Sequence, residues 1–107
     1  MISSTLIAEI NRRLTGDNFE MYRNVSSCLS SYLYYKTKQE QVMSIVLNLL
    51  KGHYFFDGNK RTAFSMFIIL CEHNGIEFSI PIDMASRFIE LARGKYTVQE
   101  AVEFIFD

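Results

Sequence analysis

A cluster of chemically active side chains lies in the segment HYFFDGNKR, at residues 53–61. A histidine can accept a proton at cellular pH, so His53 is a candidate general base toward an attacking hydroxyl group. Asp57 provides a hard oxygen ligand of the kind that Mg²⁺ binds together with a nucleotide. Arg61 offers a planar fork for phosphate oxygens, and Lys60 adds a mobile point charge. These residue types predict a phosphoryl- or nucleotidyl-transfer site.

The same segment carries the signals of a tight turn followed by a helix. Gly58 lets the backbone turn and leaves space for a ligand to approach. We expect a helix from about Asn59, whose free N-terminal N–H groups form an anion site. Cations in a first turn are disfavoured by up to about 1 kcal/mol, a penalty that a bound polyphosphate would reverse for Lys60 and Arg61. Phe55 is expected to pack inward and anchor the loop.

Each of these residues alone has an ordinary structural explanation. A single histidine near a helix end is usually structural, and Asp-Gly-Asn is a common turn. No requirement of a core or a turn asks for histidine, aspartate, asparagine, lysine and arginine in this order. The combination therefore favours a functional loop.

Length and composition limit the class of protein. With 107 residues, 49% of them hydrophobic and 21% charged, the chain is predicted to form one globular domain over residues 1–107. A net charge of −1 favours neither nucleic acid nor an acidic membrane as a partner. The longest apolar run, at residues 66–71, is far shorter than the ~20 residues of a membrane span. We expect no nucleic acid and no membrane among the partners.

The two cysteines, Cys28 and Cys71, are far apart and fit neither a disulfide framework nor a metal-ligand spacing. Two buried free thiols are the better interpretation. The N-terminus lacks the basic and long apolar regions of a signal peptide. These features together predict a cytoplasmic location.

Apolar spacing, capping residues and glycines predict six helices and no strand, which is an all-α fold around a central buried helix. The predicted helices follow Ser3-Ser4 up to Gly16, Asp17 up to Leu33, Thr37 up to Leu50, Asn59 up to Asn74, Pro81 up to Gly94, and Thr97 up to Ile105. The second helix is expected to turn Phe19, Tyr22, Val25, Leu29, Tyr32 and Leu33 inward. The fifth is expected to bury Ile82, Ala85, Phe88, Ile89 and Ala92.

The segment at residues 53–63, HYFFDGNKRTA, resembles the active-site loop of the Fic/Doc family. Fic proteins carry HxFx(D/E)GN(G/K)R, and the Doc branch carries HxFxDxNKRTA. The likeness extends over residues 38–106, where the order of helices, loop and short extended piece also agrees. The first ~35 residues match the family only loosely.

The resemblance implies a nucleotide-dependent transferase that uses ATP and Mg²⁺ to modify a protein hydroxyl group. It implies that His53 deprotonates that hydroxyl and that Asp57 binds the magnesium ion. Gly58, Asn59, Lys60 and Arg61 would bind the nucleotide, and Lys60 and Arg61 would also take part in catalysis. Phe55 would anchor the loop.

Two positions separate the branches of the family. The adenylylating branch carries the motif GNGRxxR. This chain has Lys60 in place of the motif's second glycine and Phe64 in place of its second arginine. Lys60 with Thr62-Ala63 resembles Doc, whose members phosphorylate a protein, with elongation factor Tu as the known target type. Gly58 matches the glycine of Fic proteins, whereas Doc proteins often have alanine at this position. The sequence favours a Doc-like protein kinase toxin and leaves adenylyl transfer open.

The resemblance also implies regulation and a docking element. Doc-like toxins are held inactive by a small antitoxin protein, whereas Fic proteins carry an inhibitory helix with (S/T)xxxE(G/N). Residues 5–10, TLIAEI, match only its threonine and glutamate, so inhibition by Glu9 is a minor hypothesis beside an ordinary amphipathic helix. Tyr32, Tyr34 and Tyr35 either dock a substrate segment or form a packed helix end.

Two other functions remain as alternatives. The first is a non-catalytic relic that binds a nucleotide or a partner, against which the intact His53 and Asp57 argue. The second is a metal-dependent nuclease that uses these residues and Asn59. A nuclease is the least favoured of these functions. No second metal-binding carboxylate lies near these residues in the sequence, and nothing in the sequence indicates a basic groove for nucleic acid.

Overall fold

The computed structural model describes residues 2–106 as five α-helices and three short 3₁₀ helices. The α-helices are α1 (Ser4–Thr15), α2 (Lys38–Lys51), α3 (Asn59–His73), α4 (Met84–Arg93) and α5 (Val98–Phe106). The 3₁₀ helices span Gly16–Asn18, Val25–Leu29 and Tyr32–Tyr34, between α1 and α2. The predicted all-α class is confirmed, and within residues 2–106 the only β-pairing is one isolated bridge between Met21 and Phe55.

Local capping signals account for the bounds of the helices. The Ser3 hydroxyl accepts a hydrogen bond from the Leu6 N–H at the start of α1. Thr37 and Glu40 form a complete capping box at the start of α2, and Thr97 and Glu100 form the equivalent pair before α5. These bonds satisfy N–H groups that have no partner inside the helix, and α1, α2 and α5 begin where the sequence predicts them.

The core lies around α3, which is the central buried helix that the sequence predicts. One face of α3 is buried over its whole length, and α2 packs along it. The buried side chains of α3 are Thr62, Ala63, Met66, Phe67, Leu70 and Cys71. Cys28 and Cys71 are free and buried, as expected. No helix of residues 2–106 has the length and apolar character needed to cross a bilayer.

The predicted second helix is wrong. Residues 19–24 form no helix, and their backbone bonds to the loop instead: the Tyr22 N–H donates to the Tyr54 carbonyl at 2.7 Å, and the Phe56 N–H to the Glu20 carbonyl at 2.9 Å. The Asn24 side chain then accepts from the Ser26 N–H and starts a 3₁₀ turn instead of an α-helix. Of the positions expected to face inward, Tyr22 and Leu33 are exposed.

The predicted inner face of α4 is also partly wrong. The helix begins at Met84, so Ile82 lies before it and is fully exposed. Counting from Met84, the positions that face the core are Met84 itself, Phe88 and Leu91, whereas Ile89 is exposed. Only Phe88 belongs to both the expected and the buried sets.

Candidate active site

The segment between α2 and α3 forms a tight loop at residues 52–58. Gly58 is the N-cap of α3 and has φ of 74°, a left-handed conformation that favours glycine. The Thr62 N–H donates to the Gly58 carbonyl at 2.8 Å and closes the first turn of α3. The helix therefore begins at Asn59, as the sequence predicts.

Phe55 lies in the core with its ring 6.2 Å from that of Phe19. The Asn59 side chain bonds to the same residue twice: its Oδ1 accepts from the Phe55 N–H at 3.1 Å, and its Nδ2 donates to the Phe55 carbonyl at 2.8 Å. The Asn59 amide thus closes the loop on itself. The Asn59 side chain is therefore engaged by the backbone of Phe55.

Asp57 and Arg61 meet at the start of α3. Asp57 Oδ1 accepts from the Gly58 N–H at 2.7 Å, and Oδ2 lies 3.7 Å from the Arg61 guanidinium. The Arg61 guanidinium also points toward the Leu14 carbonyl at the end of α1, at 3.5 Å. Both side chains are about half exposed. They therefore present a carboxylate and a cation side by side to the solvent.

The backbone around these side chains offers donors for an anion. Within residues 2–106, the backbone N–H groups of Asn59, Lys60 and Arg61 donate no hydrogen bond. These groups and the helix dipole attract negative charge. The Lys60 side chain is exposed beside them. The start of α3 has the electrostatics of a phosphate site.

His53 lies in the loop with an exposed side chain and a positive φ of 48°. A left-handed conformation at a residue other than glycine costs of order 1–3 kcal/mol and persists only where the surroundings enforce it. The imidazole makes no hydrogen bond to another residue of the described part of the chain. Its nitrogens are available to a ligand.

Asn11 is a site residue that sequence reasoning missed. Its side chain is buried, and Nδ2 donates to the Asp57 carbonyl at 2.8 Å and to the Thr62 hydroxyl at 2.9 Å. Asn11 Oδ1 is buried without a partner among the described residues. One signal was present: Asn11 falls one turn after Ile7 on the inner stripe of α1, where an apolar residue is the norm.

The close approach of α1 also changes the interpretation of Gly58. A Cβ atom at this position would lie 2.8 Å from Thr15 Cγ2 and 3.1 Å from Asn11 Nδ2. The space that glycine leaves is therefore filled by α1. The structure gives Gly58 a packing role in addition to its backbone conformation.

An apolar groove of about 640 Å³ opens beside Lys60 and Arg61, between α3 and α4. Phe64 lines the groove from α3, and its ring packs edge-on against Phe88 at 5.4 Å. The other lining residues are Leu14, Ser65, Ile80, Pro81, Ile82, Met84, Ala85 and Ile89. The two cations thus stand at the edge of an apolar surface.

The residues present fit one magnesium ion shared with a substrate. Residues 2–106 contain no cluster of three histidine, cysteine, aspartate or glutamate side chains that would hold a metal alone. The Asp57 side chain is partly exposed, and among the described residues no hydrogen bond is donated to its Oδ2. Mg²⁺ is commonly held by one or two carboxylates, with water and phosphate oxygens completing the shell.

The residues of two further hypotheses from the sequence lie outside the loop and the start of α3. The Glu9 carboxylate bonds to Arg12 and Arg13 on the outer side of α1, and these bonds lower its pKa to about 2. Tyr34 is exposed, whereas Tyr32 and Tyr35 are partly buried. The docking role of the tyrosines stays a prediction.

Comparison with known proteins adds one match. The family model described as Fic/DOC family matches residues 2–71, which include α1, α2, the loop and most of α3. No curated protein matches the chain.

Proposed function

The chain belongs to the Fic/DOC family, and from this premise we propose that it transfers a group from ATP to a protein hydroxyl, as a Doc-like protein kinase. The observation that carries the proposal is the meeting of Asp57 and Arg61 at the start of α3. There a carboxylate, a guanidinium and free backbone N–H groups occupy one exposed site. An exposed histidine, His53, lies in the same loop.

Each residue has a role that follows from its placement. Arg61 and the N–H groups at the start of α3 bind phosphate oxygens, and Lys60 adds a second cation. Asp57 holds Mg²⁺, which neutralises charge on the phosphates when it is bound. Phe55 and Asn59 fix the loop on which these groups lie.

His53 acts on the target protein. In its neutral form it accepts the proton of a serine, threonine or tyrosine hydroxyl as the oxygen attacks the γ-phosphorus of ATP. The new P–O bond forms to the target oxygen, and the bond to the β-phosphate oxygen breaks. ADP leaves with that electron pair, and the products are the phosphorylated protein, ADP and one proton.

Phe64 supports phosphoryl transfer over adenylyl transfer. Adenylyl transfer places the α-phosphate at the reaction centre, so the β- and γ-phosphates need further cations along α3. The residue one turn beyond Arg61 in that direction is Phe64, which lines the apolar groove. An apolar groove suits a nucleoside better than two phosphates. We therefore place the γ-phosphate at the loop and the nucleoside toward the groove.

Adenylyl transfer is the second candidate function, because Gly58 is the residue of the adenylylating pattern. A non-catalytic relic that binds a nucleotide or a partner is the third. Both are outcomes of the same experiment. The protein target, with elongation factor Tu as the first to examine, and a small antitoxin protein are further parts of the proposal.

The test is transfer of label to proteins of a bacterial lysate with ATP labelled at the α- or the γ-phosphate. His53→Ala is the inactive variant. His73→Ala is the matched control, since His73 is also exposed and lies at the far end of α3. Mass spectrometry of the labelled protein identifies the target and the modified hydroxyl.

Label from the γ-phosphate alone, present with His73→Ala and absent with His53→Ala, supports the kinase. Label from the α-phosphate with the same dependence on His53 assigns adenylyl transfer instead. Nucleotide binding without any His53-dependent label contradicts a transferase and leaves the relic.

A further inference from the structure

The strained backbone of His53 is held from both sides by one segment of the chain. The Gly52 carbonyl, directly before His53, accepts a hydrogen bond from the Arg23 guanidinium at 2.6 Å. The Tyr54 carbonyl, directly after it, accepts from the Tyr22 N–H at 2.7 Å. Arg23 thus holds the peptide group directly before His53, and Tyr22 holds the carbonyl of the residue after it, on either side of the positive φ of His53.

Arg23 makes a second contact in the same place. Its guanidinium carbon lies 4.7 Å from the centre of the Tyr54 ring, which is a cation–π distance. The Tyr54 ring is buried, and its hydroxyl bonds to the Ser27 hydroxyl at 2.7 Å. The ring therefore forms a fixed surface for the guanidinium. Arg23 joins the residue before His53 to the residue after it.

The chemistry of this contact suits arginine in particular. A planar guanidinium stacks on a ring and donates a hydrogen bond from its edge at the same time. A lysine ammonium keeps the charge and a donor but lacks the planar face. The side chain of Arg23 is exposed, so its removal leaves no cavity in the core.

We propose that Arg23 is a positioning residue that holds His53 in its left-handed conformation and so directs the imidazole toward the substrate. The proposal rests on the proposed function of His53 as the base. A catalytic group that is misplaced by about 1 Å loses roughly 100-fold in rate, so a single hydrogen bond to the flanking peptide is enough to matter. The strain at His53 explains why such a contact is needed.

The experiment compares Arg23→Ala and Arg23→Lys with Arg93→Ala, which removes an exposed arginine at the end of α4. The first readout needs no substrate: relaxation dispersion of backbone ¹⁵N nuclei in the full chain. We expect Arg23→Ala to introduce exchange on the μs–ms timescale at Gly52, His53 and Tyr54. The melting temperature and the amide signals of α3 and α5 should stay as in the parent protein.

The second readout is the rate of label transfer from ATP to lysate protein. With Arg23→Ala we expect a roughly 10- to 100-fold lower kcat and an unchanged KM for ATP, because the phosphate site lies at Arg61. Arg23→Lys should recover part of the rate. Arg93→Ala should behave as the parent protein in both measurements.

The two proposals fail in different ways. If the parent protein transfers no label, the proposed function fails, and the dispersion measurement still decides the role of Arg23. If Arg23→Ala leaves the amides of Gly52, His53 and Tyr54 as unperturbed as Arg93→Ala does, the positioning role is wrong. Full transfer activity in Arg23→Ala contradicts the role as well.

Discussion

The side chain of Asn59 bonds to both polar groups of the Phe55 backbone, at 3.1 Å to the N–H and 2.8 Å to the carbonyl. One residue is the first of α3 and the other lies in the core. The pair links the N-terminal end of α3 to the buried part of the loop. A change in either residue therefore affects both the fold and the site.

Asn59→Ala removes both hydrogen bonds and leaves two partly buried backbone groups of Phe55 without partners. We expect the free energy of unfolding to fall by about 1–3 kcal/mol. Urea denaturation measures this change. Asn18→Ala is the control, since Asn18 is exposed and should change stability by less than about 0.5 kcal/mol. Equal stability of the two variants would show that the Asn59 bonds do not form in solution.

Asn11→Ala removes the bonds to the Asp57 carbonyl and the Thr62 hydroxyl and opens a small cavity beneath the loop. We expect a loss of about 2–4 kcal/mol in the free energy of unfolding. Amide hydrogen exchange should speed up at Gly58 and Thr62 more than in α5. Arg13→Ala, on the exposed side of the same helix, is the control. Unchanged exchange at the loop would contradict the contact.

Gly52 has φ of −81°, which any residue can adopt. Glycine is therefore required at this position because there is no space for a side chain, and not because of the backbone conformation. A Cβ atom there would lie 2.7 Å from Tyr54 Cδ2 and 2.8 Å from the Asn48 carbonyl oxygen. We expect Gly52→Ala to destabilise the protein by about 1–3 kcal/mol through overpacking. The loop would shift with the Tyr54 ring.

A double-variant cycle in thermal or urea unfolding tests this contact. Adding Tyr54→Ala removes the ring, so the cost of Gly52→Ala should be smaller in that background. Strict additivity of the two substitutions would show that the ring does not restrict position 52.

Burial raises the pKa of the Cys28 thiol to about 11 and that of Cys71 to about 12, from an ordinary 9.0. We expect both thiols to react with iodoacetamide far more slowly in the native protein than in urea at pH 8, because the thiolate is the reactive form. Mass spectrometry of the alkylated protein measures this difference. Rapid native labelling of either cysteine would contradict its burial.

The same shifts predict a loss of stability at high pH. The folded state keeps both thiols protonated, so their contribution is complete below pH 9 and disappears as the pH rises toward 11–12. Urea denaturation between pH 8 and pH 10.5 should show the decline. Replacement of both cysteines by alanine should reduce the slope.

Glu9 is held by Arg12 and Arg13 on the outer side of α1, and both of its carboxylate oxygens accept from them. We therefore expect Glu9→Gln to leave the rate of label transfer unchanged. Glu20→Gln serves as a matched control, since Glu20 is also exposed. A rise in the rate with Glu9→Gln alone would support the hypothesis that this glutamate inhibits the enzyme.

The bounds of α1, α2, α3 and α5 were predictable because their signals are local. At α1, α2 and α5 a capping serine or threonine and its partner three residues on act within one turn of the helix, and at α3 the two ends are marked by Gly58 and Asn74-Gly75. The loop residues from His53 to Arg61 were recognisable for a similar reason, since their types and spacing lie in one short segment. The family match supports that recognition.

The remaining features depend on contacts between distant parts of the chain. Residues 19–24 have a helical pattern of apolar side chains, but their backbone bonds to the loop carbonyl of Tyr54 and the N–H of Phe56 instead of forming a helix. The pattern of apolar residues gives no sign of these hydrogen bonds to the loop, which compete with a helix. The contact of Asn11 with Asp57, 46 residues away, is hidden in the same way.

The sequence by itself determined the all-α class, the central helix and the residue types of the site, because periodicity, caps and motif spacing act over a few residues. Only the tertiary structure decided how the site is held. It placed α1 against Gly58, bound Arg23 to the peptide before His53, and used Asn59 to close the loop on Phe55. Such contacts form between groups that folding brings together, so their free energy is absent from any local stretch of sequence.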